Sequence, residues 1–332
     1  MKVLPISNYN FVSAPSRQTK PELKNAYALD TVSFSANPKA ISQIKFRFKN
    51  PIKIFFSDID GTLRDYNGAV PKSAKEGIKK LHQKGIPVIL ATARSSKEAE
   101  TILQEIGVKM DYLITEQGAV IIDKQGIEIY RNALSHKDTN EIIKLAKEFK
   151  KHDPNTHLLL YFDGYPYSNT DVVFKHDNAV QIKHVKSFDK MLKDGKIPTK
   201  AVLFKTNSQA YSDLDGIKEH FRACLGKNLN VVDTCRWLCE VSNSDTSKGA
   251  AIKIITQRMG INIKNAAGIG DAENDLEMLK TLNREGGLSI AMGNGVPKLK
   301  DEAQFVTSEL NRDGYANAIN AILSHNKLSN KT

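Results

Sequence analysis

The stretch FFSDIDGTLRD, residues 55–65, decides how this 332-residue chain is read. An apolar run from Ile52 to Phe56, interrupted only by Lys53, stops at Asp58, and a second carboxylate, Asp60, follows before Gly61 and Thr62. Asp and Gly favour turns, so a plain surface turn is the bland alternative. A chance match to Asp-x-Asp-Gly-Thr is on the order of one in 10⁵ per position at ordinary composition, which makes a turn the weaker reading. A calcium loop counted from Asp58 would need Gly at its sixth position and Glu at its twelfth, where this chain has Leu63 and Ala69.

Outward from this stretch the chain alternates apolar strands with amphipathic helices. Residues 52–57, 86–92 and 111–115 read as strands, and 72–84 and 96–106 as helices. Residues 119–123 and 127–131 read as a hairpin around Lys124-Gln125-Gly126. A mixed block follows, with helices near 136–151, 187–194 and 211–224. Its strands are expected near 157–163, 171–175, 200–206, 229–233 and 236–241. The parallel rhythm returns with helices 247–259 and 274–282 and strands 265–270, 287–292 and 304–307. The fold class expected is therefore α/β: a Rossmann-like parallel-sheet core interrupted by an inserted α+β domain. The boundaries read as an extension at 1–49, a core at 50–121 and 243–325, and an insert at 122–242.

In such sheets ligands bind beyond the carboxyl ends of the strands. That rule selects Asp58 and Asp60, then Thr92 and Arg94, then Asp271, Asn274 and Asp275, with Lys248 at the start of the helix before the last of these strands. Several carboxylates gathered at one rim need a cation, and all-oxygen ligands suit Mg²⁺. Lys248, the Thr92 hydroxyl and the backbone N–H groups of Gly61 and Thr62 can hold a phosphate. Arg94 can contact phosphate or pair with an acid. The chemistry expected is phosphoryl transfer: Asp58 attacks phosphorus, and Asp60, two residues on, moves the proton.

These motifs resemble those of the haloacid dehalogenase (HAD) superfamily: DIDGT (58–62), Thr92, Lys248 and GDAEND (270–275), in order. ILATARS, LITEQGAVI, DTSKGAAI and AMGNGVPKLKDEA resemble its Cof-type phosphatase branch, and the resemblance spans about 50–320. It implies Asp58 as nucleophile and Asp60 as general acid/base. It also implies Mg²⁺ held by Asp58, the Asp60 carbonyl and Asp271, with Asp275 supporting the metal from outside. Thr92, Ala93, Lys248 and Asn274 match phosphate or substrate binders. The span of 156 positions from Thr92 to Lys248 places the insert where the family carries its C2-type cap. Two positions depart from the usual motifs: Thr92-Ala93-Arg94 stands for Thr-Gly-Arg, and Gln117-Gly118-Ala119 for Asn-Gly-Ala.

The activity expected is Mg²⁺-dependent hydrolysis of a small phosphorylated metabolite, with sugar phosphates, flavin mononucleotide and pyridoxal phosphate implied as substrates. Dehalogenation is disfavoured because it needs neither Asp60 nor Asp271. The rivals are a phosphohexomutase-like transferase and a non-catalytic protein binding anions or nucleic acid through its basic tail. In the insert, Asp163, Tyr165, Tyr167, His176 and His184 are candidate substrate contacts.

Composition bounds the rest. The net charge is +11, but the first 50 residues hold eight Lys/Arg against two acids, so a nucleic-acid or membrane-surface role belongs to the tail alone. No run of about 18 apolar residues argues for a membrane span. Cys224, Cys235 and Cys239 make no disulfide framework and fit a reducing, cytoplasmic setting, and Cys235 and Cys239 lack further zinc ligands. The Ser-rich basic leader leaves an organellar address as the minor alternative.

Overall fold

The computed structural model describes residues 32–33, 48, 50–65, 67–107, 110–170, 181–205, 214–235 and 238–329. Most of the basic leader, the strand expected near 171–175 and His176 lie outside the described residues.

The strands are β1 (Val32–Ser33), β2 (Ile54–Ser57), β3 (Val88–Ala91), β4 (Tyr112–Thr115), β5 (Val120–Asp123), β6 (Glu128–Arg131), β7 (Thr156–Phe162), β8 (Tyr165–Ser168), β9 (Lys183–His184), β10 (Lys200–Lys205), β11 (Leu229–Cys235), β12 (Leu238–Asn243), β13 (Ala266–Gly270), β14 (Leu288–Ala291) and β15 (Phe305–Val306). The helices are α1 (Lys72–Gln83), α2 (Ser96–Ile106), α3 (His136–His152), α4 (Phe188–Lys193), α5 (Asp215–Cys224), α6 (Lys248–Arg258), α7 (Leu276–Glu285), α8 (Pro297–Glu302) and α9 (Gly314–Ser329).

The first sheet runs β1-β15-β14-β13-β2-β3-β4-β5-β6. Pairing is parallel from β1 to β4 and antiparallel for β5 and β6. From β2 the chain steps outward through β3 and β4, then returns on the other side as β13, β14 and β15. The order therefore reverses between β2 and β13, and in open α/β sheets ligands bind beyond the strands' carboxyl ends at such a point.

Both faces of this sheet are covered, which is why its strands read as unbroken apolar runs. On one face Phe55, Val88 and Leu90 pack with Ile78 and Leu81 of α1 and Ile319 and Ile322 of α9. On the other, Ile54, Phe56, Ile89 and Ile114 pack with Ile252 and Ile255 of α6 and Met278 and Leu282 of α7. α2 starts at a reciprocal cap, with Ser95 Oγ accepting from the Glu98 N–H and Glu98 accepting from the Ser95 N–H.

The second sheet, β11-β12-β10-β7-β8-β9, is antiparallel apart from the β8–β9 pair. α3, α4 and α5 supply Phe149, Phe188 and Phe221 to one of its faces. Thus the α/β core with an inserted α+β unit stands. Several details differ from the sequence reading, and β8, β9 and α8 were not anticipated. The hairpin β5–β6 extends the first sheet, so residues 122–131, read as insert, pair with the core strands; hairpin periodicity carries no information about which sheet it joins. β1, inside the segment read as a loose extension, pairs with β15. α9 was not anticipated, because Asn and Ser interrupt its apolar residues.

Candidate active site

Asp58 follows β2 directly and is 4% exposed. Its backbone N–H donates to Ile269 of β13, so the strand continues in register up to the acid. Asp271 follows β13, and Asp275 closes the short turn after it. Oxygen atoms of Asp58, Asp271 and Asp275 lie within 4.8 Å of one another, all three residues buried. Gly270 permits this approach: a Cβ there would lie 2.4 Å from the Asp275 side chain.

Lys248, fully buried at the first turn of α6, donates to Asp58 Oδ1 at 2.5 Å and to Asp275 Oδ1 at 2.6 Å. Asp275 Oδ2 accepts from the backbone N–H groups of Asp271 and Ala272, both at 3.0 Å. Both Asp275 oxygens are thus engaged by protein donors. Thr62 Oγ1 donates to Asp271 Oδ1 at 2.7 Å, tying the first motif to the last.

The electrostatics follow from this crowding. Burial, then Asp275 and Asp271, push the Asp58 carboxyl well above its usual range against the pull of Lys248. Burial works against the Lys248 charge, but Asp275 and Asp58 more than offset it and raise its pKa. One ammonium faces three carboxylates. An oxygen-only donor set with surplus negative charge fits a hard divalent cation.

Asp60 stands apart from this cluster. Arg94 grips it with both arms, Nε to Oδ2 at 2.6 Å and Nη2 to Oδ1 at 2.9 Å. Burial opposes the guanidinium charge, yet the bonds to Asp60 raise the Arg94 pKa. Of the two alternatives for Arg94, the structure displays pairing with an acid. Arg64, 1% exposed, brings Nε to 3.3 Å from Asp60 Oδ1, close enough for an ion pair but without hydrogen-bond geometry. Arg64 carried no role in the sequence reading; its only signal was its place four residues after Asp60.

The remaining candidates are placed as follows. The Thr92 hydroxyl accepts from the Arg94 N–H at 3.1 Å, and the Ala93 carbonyl accepts from Lys200 of β10 at 2.8 Å. The backbone nest expected at Gly61 and Thr62 is not formed: their N–H groups donate to the carbonyls of Arg64 and Ile59 inside the loop itself. Asn294 also donates to the Gly61 carbonyl at 2.8 Å, a brace the sequence reading missed. Asn274 Oδ1 is buried with no partner among the described residues.

The insert candidates are engaged elsewhere. Asp163 lies 3.5 Å from Arg131 and 3.8 Å from Lys196. Lys183 sits over the Tyr165 ring at 3.4 Å and the Tyr167 ring at 5.5 Å. His184 lies on the exposed strand β9. The second sheet reaches the loops around the site instead through Thr199, just before β10, which donates to Glu116, and through Lys200, which donates to the Ala93 carbonyl while pairing within its own sheet with Glu240 at 3.3 Å. These contacts had no local sequence signature.

A family model for haloacid dehalogenase-like hydrolases matches residues 55–319, which is most of the chain. The chain belongs to that family. It is 28% identical to the phosphoglycolate phosphatase of Archaeoglobus fulgidus over 263 residues, covering 79% of this chain and 93% of that one. It is 25% identical over 283 residues to the chloroplastic endoribonuclease YBEY of Arabidopsis thaliana, covering 82% of this chain but only 47% of that protein. Its fold is similar to that of a HAD-like hydrolase from B. subtilis, with TM-score 0.69 and 19% identity over 81% of this chain and 99% of that one. No helix among the described residues of this HAD-like chain is long and apolar enough to cross a membrane.

Proposed function

We propose that this chain is a Mg²⁺-dependent phosphatase that hydrolyses small phosphomonoesters, sugar phosphates or phosphorylated cofactors, through an aspartyl-phosphate. The observation that carries the reading is the convergence of Asp58, Asp271, Asp275 and Lys248 at the switch point of a parallel sheet. The name of the A. fulgidus relative, a phosphatase of a small phosphomonoester, supports it.

In this reading Asp58 attacks phosphorus, forming a carboxylate oxygen–phosphorus bond as the ester oxygen departs. Asp60 gives that oxygen a proton, then takes one from the water that cleaves the acyl phosphate and regenerates Asp58. Both Asp60 oxygens are occupied by Arg94, so the carboxyl becomes available when the guanidinium turns to the incoming phosphate. Thr92 keeps its hydroxyl proton free for the same phosphate, and Lys248, with a third N–H beyond the two used, fixes Asp58 in line. Asp58, Asp271 and the Asp60 carbonyl would hold the metal, with Asp275 orienting them. A bound Mg²⁺ would neutralise charge on the transferring phosphoryl group. The second sheet, reaching the loops around the site through Thr199 and Lys200, acts as a cap that limits water and selects the leaving group.

The test is phosphate release from a panel of phosphomonoesters with Mg²⁺ and with chelator. Asp58→Asn is expected to lower kcat on the order of 10⁴-fold or more while the protein stays folded. Asp60→Asn should lose about 10²–10⁴-fold on alkyl esters and far less on aryl esters, whose oxygen departs without a proton. Equal loss on both ester types would remove Asp60 from the proton-transfer role. Isomerised product without free phosphate would point to a mutase instead.

A further inference from the structure

Two arginines pair with Asp60, and they hold it in different ways. Arg94 comes from the segment after β3 and bonds both carboxylate oxygens, at 2.6 and 2.9 Å. Arg64 comes from Asp60's own loop. Its Nε lies 3.3 Å from Asp60 Oδ1, yet neither Nε nor Nη1 has a hydrogen-bond partner among the described residues. The Asp60 side chain is 30% exposed and that of Arg64 1%. Arg64 therefore meets Asp60 from the protein interior as a charge and leaves its lone pairs unclaimed. The loop fixes this approach. The Gly61 N–H donates to the Arg64 carbonyl at 2.8 Å and the Arg64 N–H to the Ile59 carbonyl at 2.9 Å, so residues 60 and 64 bridge side by side. Gly68 leaves room for the guanidinium, since a Cβ there would lie 3.0 Å from Nη2.

A buried guanidinium with two bare nitrogens is costly, because its charge has left water and those donors gain nothing in return. An apolar side chain of similar volume would often serve stability as well or better, so packing alone does not account for Arg64. The other arginine supplies the reason. In the phosphatase reading Arg94 turns to the phosphate, and Asp60 then loses both of its hydrogen bonds. A carboxyl so released can rotate, and a displacement of about 1 Å can cost on the order of 10²-fold in rate. Arg64 cannot leave with Arg94, since it is packed into the loop that carries Asp60. It also takes no lone pair, so either Asp60 oxygen can carry the transferred proton. Its charge favours the carboxylate that forms as that proton departs.

We propose that Arg64 is the positioning residue of the proton-transfer carboxyl, holding Asp60 in place while Arg94 is engaged by the substrate's phosphate. The proposal rests on the phosphatase reading above and gives the two arginines separate tasks: Arg94 binds phosphate, and Arg64 keeps the acid aimed. At 1% exposure Arg64 acts through Asp60 and is not itself a catalytic residue.

The test compares hexose and glycerol phosphates, as alkyl esters, with p-nitrophenyl phosphate, whose oxygen departs without a proton. Arg64→Met is expected to lower kcat/KM about tenfold or more on the alkyl esters, part of the roughly 10²–10⁴-fold that a positioned acid supplies, and about threefold at most on the aryl ester. The alkyl loss should fall on kcat, with KM within about twofold of the parent, as for an interaction made only in the transition state. Arg64→Lys, which returns the charge, should restore part of it. Arg64→Gln takes the place of the methionine variant if that one fails to fold. Arg94→Met should instead raise KM on both ester classes. Equal losses on both classes from Arg64→Met, a loss carried by KM, or no loss would make Arg64 a merely structural residue and overturn the proposal. A second arm needs no turnover. In the crystal structure of Arg94→Met, the Asp60 carboxyl should stay within about 4 Å of Arg64 Nε, the reach of an ion pair. In the double variant Arg94→Met/Arg64→Met it should swing away. An Asp60 displaced in the single variant, or placed alike in both, overturns the proposal. If the parent protein hydrolyses no ester, the phosphatase reading fails separately, and the second arm still decides what holds Asp60.

Discussion

Lys248 shows how much one side chain organises. Fully buried, it holds Asp58 and Asp275 together at 2.5 and 2.6 Å, and removing it would leave two buried carboxylates facing each other. Lys248→Met is expected to lose about 3–5 kcal/mol of stability, as breaking a buried ion pair does, together with most activity. Urea denaturation and phosphate-release assays would check this; unchanged stability would mean that the acids relax apart. Lys248 was legible in the sequence only through its order among the motifs, since a lysine at a helix start is usually solvated. Asp58 and Asp271 were legible because apolar strands end at them. Arg64 was not: nothing in its local sequence says that a buried arginine will reach back to Asp60.

Among the elements, the loop joining β4 to β5 departs furthest from ordinary backbone. Glu116, Gln117 and Gly118 all have positive φ, and the N–H groups of Glu116 and Gln117 donate to the Arg94 and Thr92 carbonyls. The loop thus locks onto the segment after β3 and aims Gln117. Gly118 is required twice over: its φ is 103°, and a Cβ would lie 2.3 Å from the Ser247 carbonyl oxygen. Gly118→Ala is expected to destabilise the protein by about 1–3 kcal/mol from strain alone, more with the clash, and to impair turnover by displacing Gln117 and Ser247. Thermal melting with parallel kinetics would measure both. The strands flanking this loop were legible from their apolar runs, but its left-handed course was not, because only one of its three residues is glycine.

At the scale of the whole molecule, the two sheets meet through polar contacts between residues far apart in sequence. Glu116, 1% exposed, accepts from Thr199, and Lys200 donates to the Ala93 carbonyl. Burial raises the Glu116 pKa despite Lys200 and Thr199, which pull it down. A carboxyl whose folded pKa is raised adds stability below its unfolded value and loses it as pH rises through the folded one. Glu116→Gln should therefore gain stability relative to the parent as pH climbs from the ordinary carboxylate range, about 4.3, toward neutrality. Melting temperatures across pH 4–7.5 would track the gap, and a constant gap would show that Glu116 titrates normally. Such contacts carry no periodic signal, which is why the existence of the insert was legible but its points of attachment were not.

The chain passes between the sheets at two places, and these lie side by side. Asn243 donates to Asn132 Oδ1 and to the Ala133 carbonyl, both at 2.6 Å, while Asn132 donates to Asp245 at 2.7 Å and to Thr246 at 3.0 Å. The second sheet therefore hangs from the first by one narrow neck. A segment whose entry and exit adjoin asks little loop-closure entropy of its host, since doubling its length adds only about 0.6 kcal/mol. Such a neck works as a socket: the second sheet can change in length while the first keeps its geometry.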